Sequence, residues 1–123
     1  MTVPGRRHER IGEEIQHELA AMMAGDLKDP RLEIGAIVTE VRITPDLKQV
    51  RASVAVYGEP GEQHAAIKAL EHAAGYIRHE LVERLHLRRA PEIHFILDRS
   101  HQFTERVENL LREMKKKDDP SSS

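Results

Sequence analysis

The sequence predicts an α+β domain of two layers, a three-stranded sheet with helices covering one face. Three observations predict it. Apolar residues recur at helical spacing near both ends and in the middle of the chain, two neighbouring segments alternate apolar with polar residues, and a short third strand precedes the last helical stretch. The resulting order is α-β-β-α-α-β-α. One hundred and twenty-three residues and 14.0 kDa suit one domain that buries a core without disulfide or metal staples.

Ile11, Ile15, Leu19, Met22 and Met23 lie four, four, three and one apart, which predicts a helix over 10–23. Gly25 is expected to cap it near Ala24, and Asp29-Pro30 cannot continue it. Ile37, Thr39, Val41 and Ile43 then alternate with Val38, Glu40 and Arg42, a strand with one face inward. Thr44-Pro45-Asp46 breaks it. Val50, Ala52, Val54 and Val56 form a second strand after a connection short enough for a hairpin, so the two strands are expected to be antiparallel neighbours.

Gly58-Glu59-Pro60-Gly61 closes the second strand. A helical pattern through Ile67, Leu70, Ala74, Ile77, Leu81 and Leu85 begins near Gln63 or His64. Gly75 sits inside this run and costs about 1 kcal/mol against alanine in a helix interior, so two helices, or one kinked at Gly75, are expected. Ile93 to Leu97 is a third strand. Phe103, Val107, Leu110, Leu111 and Met114 supply the stripe of a last helix capped by Asp98 or Ser100. One domain is expected over residues 1–115, followed by a disordered polar tail over 116–123.

The composition excludes several chemistries. With no cysteine, thiolate catalysis, disulfides and cysteine-ligated metals are ruled out, and a reducing cytoplasmic location is expected. No apolar stretch reads as a signal peptide or membrane span. No glycine cluster meets a Lys-Ser or Lys-Thr in a phosphate loop, and no serine stands in Gly-x-Ser-x-Gly. His72, His79 and His86 recur every seven residues, a rise of roughly 10 Å that keeps two imidazoles from sharing one metal ion. The His-Glu pairs at His8, His17 and His79 each lack a histidine four residues on. No metal or cofactor is expected. Nineteen Lys and Arg against 21 Asp and Glu leave a net charge of -2, so any contact with nucleic acid must come from local clusters.

Gly58-Glu59-Pro60-Gly61 matches the Gly-x-x-Gly loop of KH domains only in letters. It follows a strand, contains a proline without an amide hydrogen, and adds a glutamate that repels phosphate. The α-β-β-α-α-β order resembles a type II KH fold in which Ala73-Ala74-Gly75, an interhelical Ala-x-Gly, stands where Gly-x-x-Gly normally would. Three motifs carry a closer likeness: Lys28-Asp29-Pro30-Arg31-Leu32, Ala73-Ala74-Gly75-Tyr76-Ile77-Arg78, and Leu85-x-Leu87-Arg88-x-x-Pro91-Glu92-x-x-Phe95. Together, over roughly residues 6–114, the chain resembles the bacterial ribosome-binding factor A family.

That resemblance implies a non-catalytic assembly factor that binds the free small (30S) ribosomal subunit and assists late 16S rRNA maturation, especially of its 5′ end. It also implies support of growth in the cold, release by an assembly GTPase, and a cytoplasmic monomer. Three basic clusters are candidates for RNA contact. Arg6, Arg7 and Arg10 open the first helix, Lys28 and Arg31 flank the loop after it, and Arg78, Arg84, Arg88 and Arg89 follow the glycine break. Ala73, Ala74 and Gly75 complete the set, on the expectation that the absent Gly75 side chain lets an RNA backbone approach the next helix; an equal alternative is a packing glycine where the helix crosses the sheet. Each cation has a plainer reading as a solvated residue paired with Glu13, Glu14, Glu80 or Glu83. With four aromatics in the chain, recognition is expected to rest on phosphate and RNA shape rather than base stacking. The competing function is a protein-interaction module without direct RNA contact, favoured by the negative net charge.

Overall fold

A computed structural model describes residues 6–100 and 112. The expected final helix and tail fall largely outside the described residues. Within them the order is α1 (Arg6–Ala21), β1 (Ala36–Ile43), β2 (Gln49–Val56), α2 (Pro60–His72), α3 (Ala74–Leu85) and β3 (Glu92–Leu97). The sheet order is β1-β2-β3. β2 pairs antiparallel with β1 across the hairpin and parallel with β3, so the sheet is mixed.

α1 does not stop at a glycine cap. Its last turn widens into a π turn over Met22–Asp26, closed by the Leu27 amide donating to the Met22 carbonyl at 2.9 Å. Gly25 has no positive φ, so the expected left-handed cap is replaced by this wider turn, which keeps Met22 fully buried. A short 3-10 turn, Pro30–Leu32, follows and is capped by the Asp29 carboxylate, which accepts from the Arg31 amide at 3.0 Å.

The inward face of β1 also departs from simple alternation. The register with β2 slips between Val38 and Glu40, a bulge that changes the phase of the strand. Val38 and Ile43 are therefore both buried, while Ile37, expected inward, is 52% exposed on the other face. Thr39 lies at the slip, where its hydroxyl donates to the Asp98 carboxylate at 2.6 Å and ties β1 to the chain leaving β3.

α2 begins at Pro60, three residues earlier than the apolar pattern suggests. Glu59 and Glu62 form a reciprocal capping box and Pro60 takes the first helical position, where its missing amide costs nothing. Gln63, 7% exposed, donates through Nε2 to the carbonyls of Val56 and Gly58, fastening the helix start to the end of β2. The break between α2 and α3 falls at Ala73, which caps both, rather than at Gly75, which lies in the first turn of α3.

The helices enclose one face of the sheet. Ile15 and Leu19 of α1, Val50 and Val54 of β2, Leu70 of α2, and Ile77 and Leu81 of α3 are all fully buried in a single cluster. Each such side chain contributes about 1.5–3 kcal/mol on burial, which fixes the α2–α3 junction and the loop after α1 against one frame.

Candidate nucleic-acid interface

The α2–α3 junction and the loop after α1 face one another. Between them lies a cleft of about 420 Å³ whose lining includes Leu27, Lys28, Leu32, Ala69, Ala73 and Tyr76. Lys28 is exposed at this cleft and pairs with no acid among the described residues. The structure thus brings Lys28, Arg31 and the Ala73-Ala74-Gly75 break into one neighbourhood.

Arg31 is committed to its own loop. Nε and Nη2 donate to the two Asp29 carboxylate oxygens at 3.0 and 2.7 Å, and Nη2 also donates to Nδ1 of His72 at 3.3 Å. The hydrogen bonds from Arg31 hold the Asp29 carboxyl well below its usual range, at about 2, and the pair is charge-neutral at physiological pH. Arg31 therefore fastens the loop to the end of α2.

Gly75 meets no such constraint. A Cβ added there has nothing within 4 Å, and its φ is not positive. Neither packing nor backbone geometry within the described fold calls for glycine at this exposed position.

The arginines after the break divide into two kinds. Arg78 turns back on the fold, its Nε donating to the Pro91 carbonyl at 2.9 Å and Nη2 to the Ala90 carbonyl at 3.4 Å. Arg84 is held by three carboxylates: Glu18 at 3.1 Å, Asp26 at 2.6 Å and Glu80 at 3.7 Å. Its pKa is raised, first by the Asp26 hydrogen bond and then by Glu18, and its charge is cancelled inside the fold. Arg84 joins α1, the π turn and α3. Glu80 is the partner that helix spacing suggests, whereas Glu18 and Asp26 come from 66 and 58 residues away and leave no local signal.

Arg88 and Arg89 differ. They are exposed and sit in the loop after α3, beyond the left-handed His86 cap, rather than in the last helical turn. That loop runs into β3, where the Glu92 amide donates to the Lys48 carbonyl at 2.8 Å, so it lies beside the β1–β2 hairpin. Exposed Lys48 and Arg51 lie at the same end of the sheet, and sequence reasoning passed over both. None of these four cations pairs with an acid among the described residues.

α1 opens near this end as well, because a side chain at Gly12 would touch Ile43 Cγ2 at 3.5 Å, at the hairpin end of β1. Arg7 and Arg10 are exposed on its first turns, and Arg6 is its first residue. The twelve candidate residues thus separate into a cleft group, a hairpin-end group and three internally bonded arginines, Arg31, Arg78 and Arg84. Sequence reasoning also missed Tyr76 and His72 in the cleft, although an aromatic directly after the glycine break was a visible signal.

Among the described residues no three His, Cys, Asp or Glu side chains converge as a metal site. No helix is long and apolar enough to cross a membrane among those residues.

Comparison with known proteins gives this surface its context. Residues 7–111 match the family model described as ribosome-binding factor A. The chain is 43% identical over 112 residues to ribosome-binding factor A of Thermomicrobium roseum, covering 91% of this chain and 86% of that one. It is 40% identical over 121 residues to that of Solibacter usitatus, covering 95% and 98%. Among solved structures it resembles the crystal structure of ribosome-binding factor A from Thermus thermophilus, with a TM-score of 0.66, 26% identity, and coverage of 76% of this chain and 98% of that one. It also resembles a homology model of Thermus thermophilus ribosome-binding factor A as fitted into the cryo-EM map of a 30S complex, with a TM-score of 0.60, 26% identity, and coverage of 73% and 93%. That family consists of ribosome assembly factors without catalytic activity. A match over nearly the whole chain, with the α-β-β-α-α-β order and mixed sheet shared by these structures, shows that the chain belongs to the ribosome-binding factor A family.

Proposed function

We propose that this chain binds the free 30S subunit and assists late maturation of 16S rRNA, especially at its 5′ end, without catalysing a reaction itself. Family membership supports the partner, since the Thermus relative is described in a 30S complex. Release by an assembly GTPase, a monomeric state, a cytoplasmic location and a role in cold growth belong to the same reading. So do the domain limits, with one ribosome-binding domain over 1–115 and a polar tail over 116–123.

The observation that carries the contact surface is Gly75. A glycine in the first turn of a helix, exposed and with open space around it, is of use to a partner that approaches the backbone. The fold supports a type II KH-like reading in which Ala73-Ala74-Gly75 does the work of Gly-x-x-Gly. RNA phosphates then meet Lys28 beside that break and Arg88 and Arg89 at the hairpin end, with Arg6, Arg7 and Arg10 extending the basic surface. Arginine is suited to this role because its planar fork grips two phosphate oxygens at once. Arg31, Arg78 and Arg84 act indirectly in this reading, by fixing the loops that carry the contact residues.

Co-sedimentation with separated ribosomal subunits across a salt series tests the proposal. Neutralising about five phosphates gives a log–log salt slope of roughly -3.5 to -4.5. The proposal expects salt-sensitive binding to small subunits alone, lost in Arg88→Glu/Arg89→Glu. A shallow salt dependence that survives this reversal would favour a protein-interaction module instead.

A further inference from the structure

α1, α2 and α3 cover one face of the sheet, and the outward face is divided along its length. Near the hairpin, Arg42, Arg51 and His94 lie opposite one another across the three strands. At the other end the outward residues are apolar: Ile37 of β1, its cross-strand partner Ala55 of β2, Tyr57 just beyond β2, and Ile96 of β3. Ile37, Tyr57 and Ile96 are exposed. The chain leaves β3 at this apolar end, since Leu97 is level with Val54 and the Asp98 amide donates to the Val54 carbonyl at 2.8 Å. β2 lies between β1 and β3, so the bond from Thr39 of β1 to the Asp98 carboxylate spans β2, on the side to which His94 and Ile96 also point. The other Asp98 oxygen accepts from the Ser100 amide at 2.9 Å and its hydroxyl at 2.6 Å. A cap for a helix starting at Ser100 is thereby anchored over the outward face.

We propose that the outward face of the sheet is the docking surface for the chain's own C-terminal segment, residues 100–114, with Phe103, Val107, Leu110 and Met114 laid against Ile37, Ala55 and Ile96. Two observations beside the cap support this occupant. The apolar residues of the segment fall at helical spacing, so they form one stripe that needs an apolar partner. Arg112, which the same spacing places opposite Phe103, Val107 and Met114, is helical and exposed. Length sets the direction. As a helix the segment is roughly 22 Å long, about twice the roughly 10 Å between the outer strands of a three-stranded sheet. It therefore runs along the strands, from the apolar end back toward the hairpin. Docked in this way it closes the apolar face to other partners and brings Lys115, Lys116 and Lys117 to the end of the sheet that carries Lys48 and Arg51.

The chain has no cysteine, so paired cysteines report proximity without background. Full-length Ile37→Cys/Val107→Cys and Ile37→Cys/Glu105→Cys are treated with a short bis-maleimide linker and followed by mass spectrometry. Ile37 is exposed, so its replacement leaves the core intact. Val107 belongs to the stripe and Glu105 falls on the opposite side of the same helix, at nearly equal distance along the chain. Docking predicts intramolecular linking at least about tenfold faster for the Val107 pair. Equal rates in the two pairs, as a free tail gives, would overturn the proposal. Links formed mainly between two chains would overturn it too, by assigning the face to a second copy. A second readout uses the thermal melt of variants that keep every strand residue. Phe103→Asp/Val107→Asp should melt at least about 5 °C lower than the parent, and Arg112→Asp should melt with it. A melt unchanged in both variants would count against docking.

Discussion

Gly58 and Gly75 both stand at the start of a helix, Gly58 two residues before α2 and Gly75 second in α3. Gly58 has φ +104, and a Cβ there would collide with Ile34 Cδ1 and lie 3.0 Å from Glu62 Oε1. At Gly75 the φ is ordinary and the space is open. The first glycine is needed by the fold, because the chain must turn sharply between β2 and the capping box of α2. The second is not. A similar contrast separates the arginines, since Arg84 is surrounded by carboxylates while Arg88 and Arg89, four and five residues on, pair with none among the described residues. Residues that look alike in the sequence serve the structure in one place and face outward in the other.

The largest effect expected from this contrast is on binding. Arg88→Glu/Arg89→Glu should weaken association with small subunits by roughly tenfold to a hundredfold at moderate salt and flatten the salt slope, with the thermal melt unchanged. Arg84→Glu should show the opposite pattern, a lower melting temperature together with a repulsive cluster at Glu18, Asp26 and Glu80. Partial recovery of the melt by Glu18→Arg in that background would sharpen the assignment, and an unchanged melt in Arg84→Glu would break it.

Next in size is Gly58→Ala. Forcing a side chain into a positive-φ conformation costs about 1–2 kcal/mol, to which the displacement of Ile34 adds. Chemical denaturation should show that loss. Gly75→Ala should instead raise stability by about 0.5–1 kcal/mol, as expected where alanine replaces a glycine that the helix does not need. Equal and opposite results at these two positions would invert the comparison.

The smallest effect concerns acid. The folded Asp29 carboxyl titrates at about 2, below its ordinary 3.8, because Arg31 hydrogen bonds favour its charged form. Its contribution to stability is therefore fully present above about pH 4 and is lost as the pH falls through about 2. An acid titration of Asp29→Asn should lack that part of the parent's pH dependence while the neutral-pH slope stays the same.

Much of this architecture was legible in the sequence because it is local. The four-residue spacing of Ile11, Ile15 and Leu19, the alternation through Val50 to Val56, and the hairpin that joins that strand to β1 are set by the periods of helix and strand and by a short connection. The bulge after Val38 was not legible, because one extra residue in β1 is decided by its pairing with β2 and by the Thr39–Asp98 hydrogen bond, 59 residues apart in sequence. The π turn was hidden for a similar reason, since Asp26 is held by Arg84 of a different helix. At the candidate interface, residue type and clustering pointed to the basic groups, but only distances between remote carboxylates separate Arg84 from Arg88 and Arg89. Tyr76 could be named from its place after Gly75, yet its exposure and the apolar floor beside it depend on the loop from α1 folding against α2.

The most direct test of the account is Gly75→Glu, with its melting temperature and its co-sedimentation with separated small subunits measured on the same preparation. The open surroundings of Gly75 predict a protein that melts no lower than the parent and binds small subunits markedly more weakly, because a carboxylate now stands where RNA approaches the backbone. A fully folded Gly75→Glu protein that binds with unchanged affinity would contradict it.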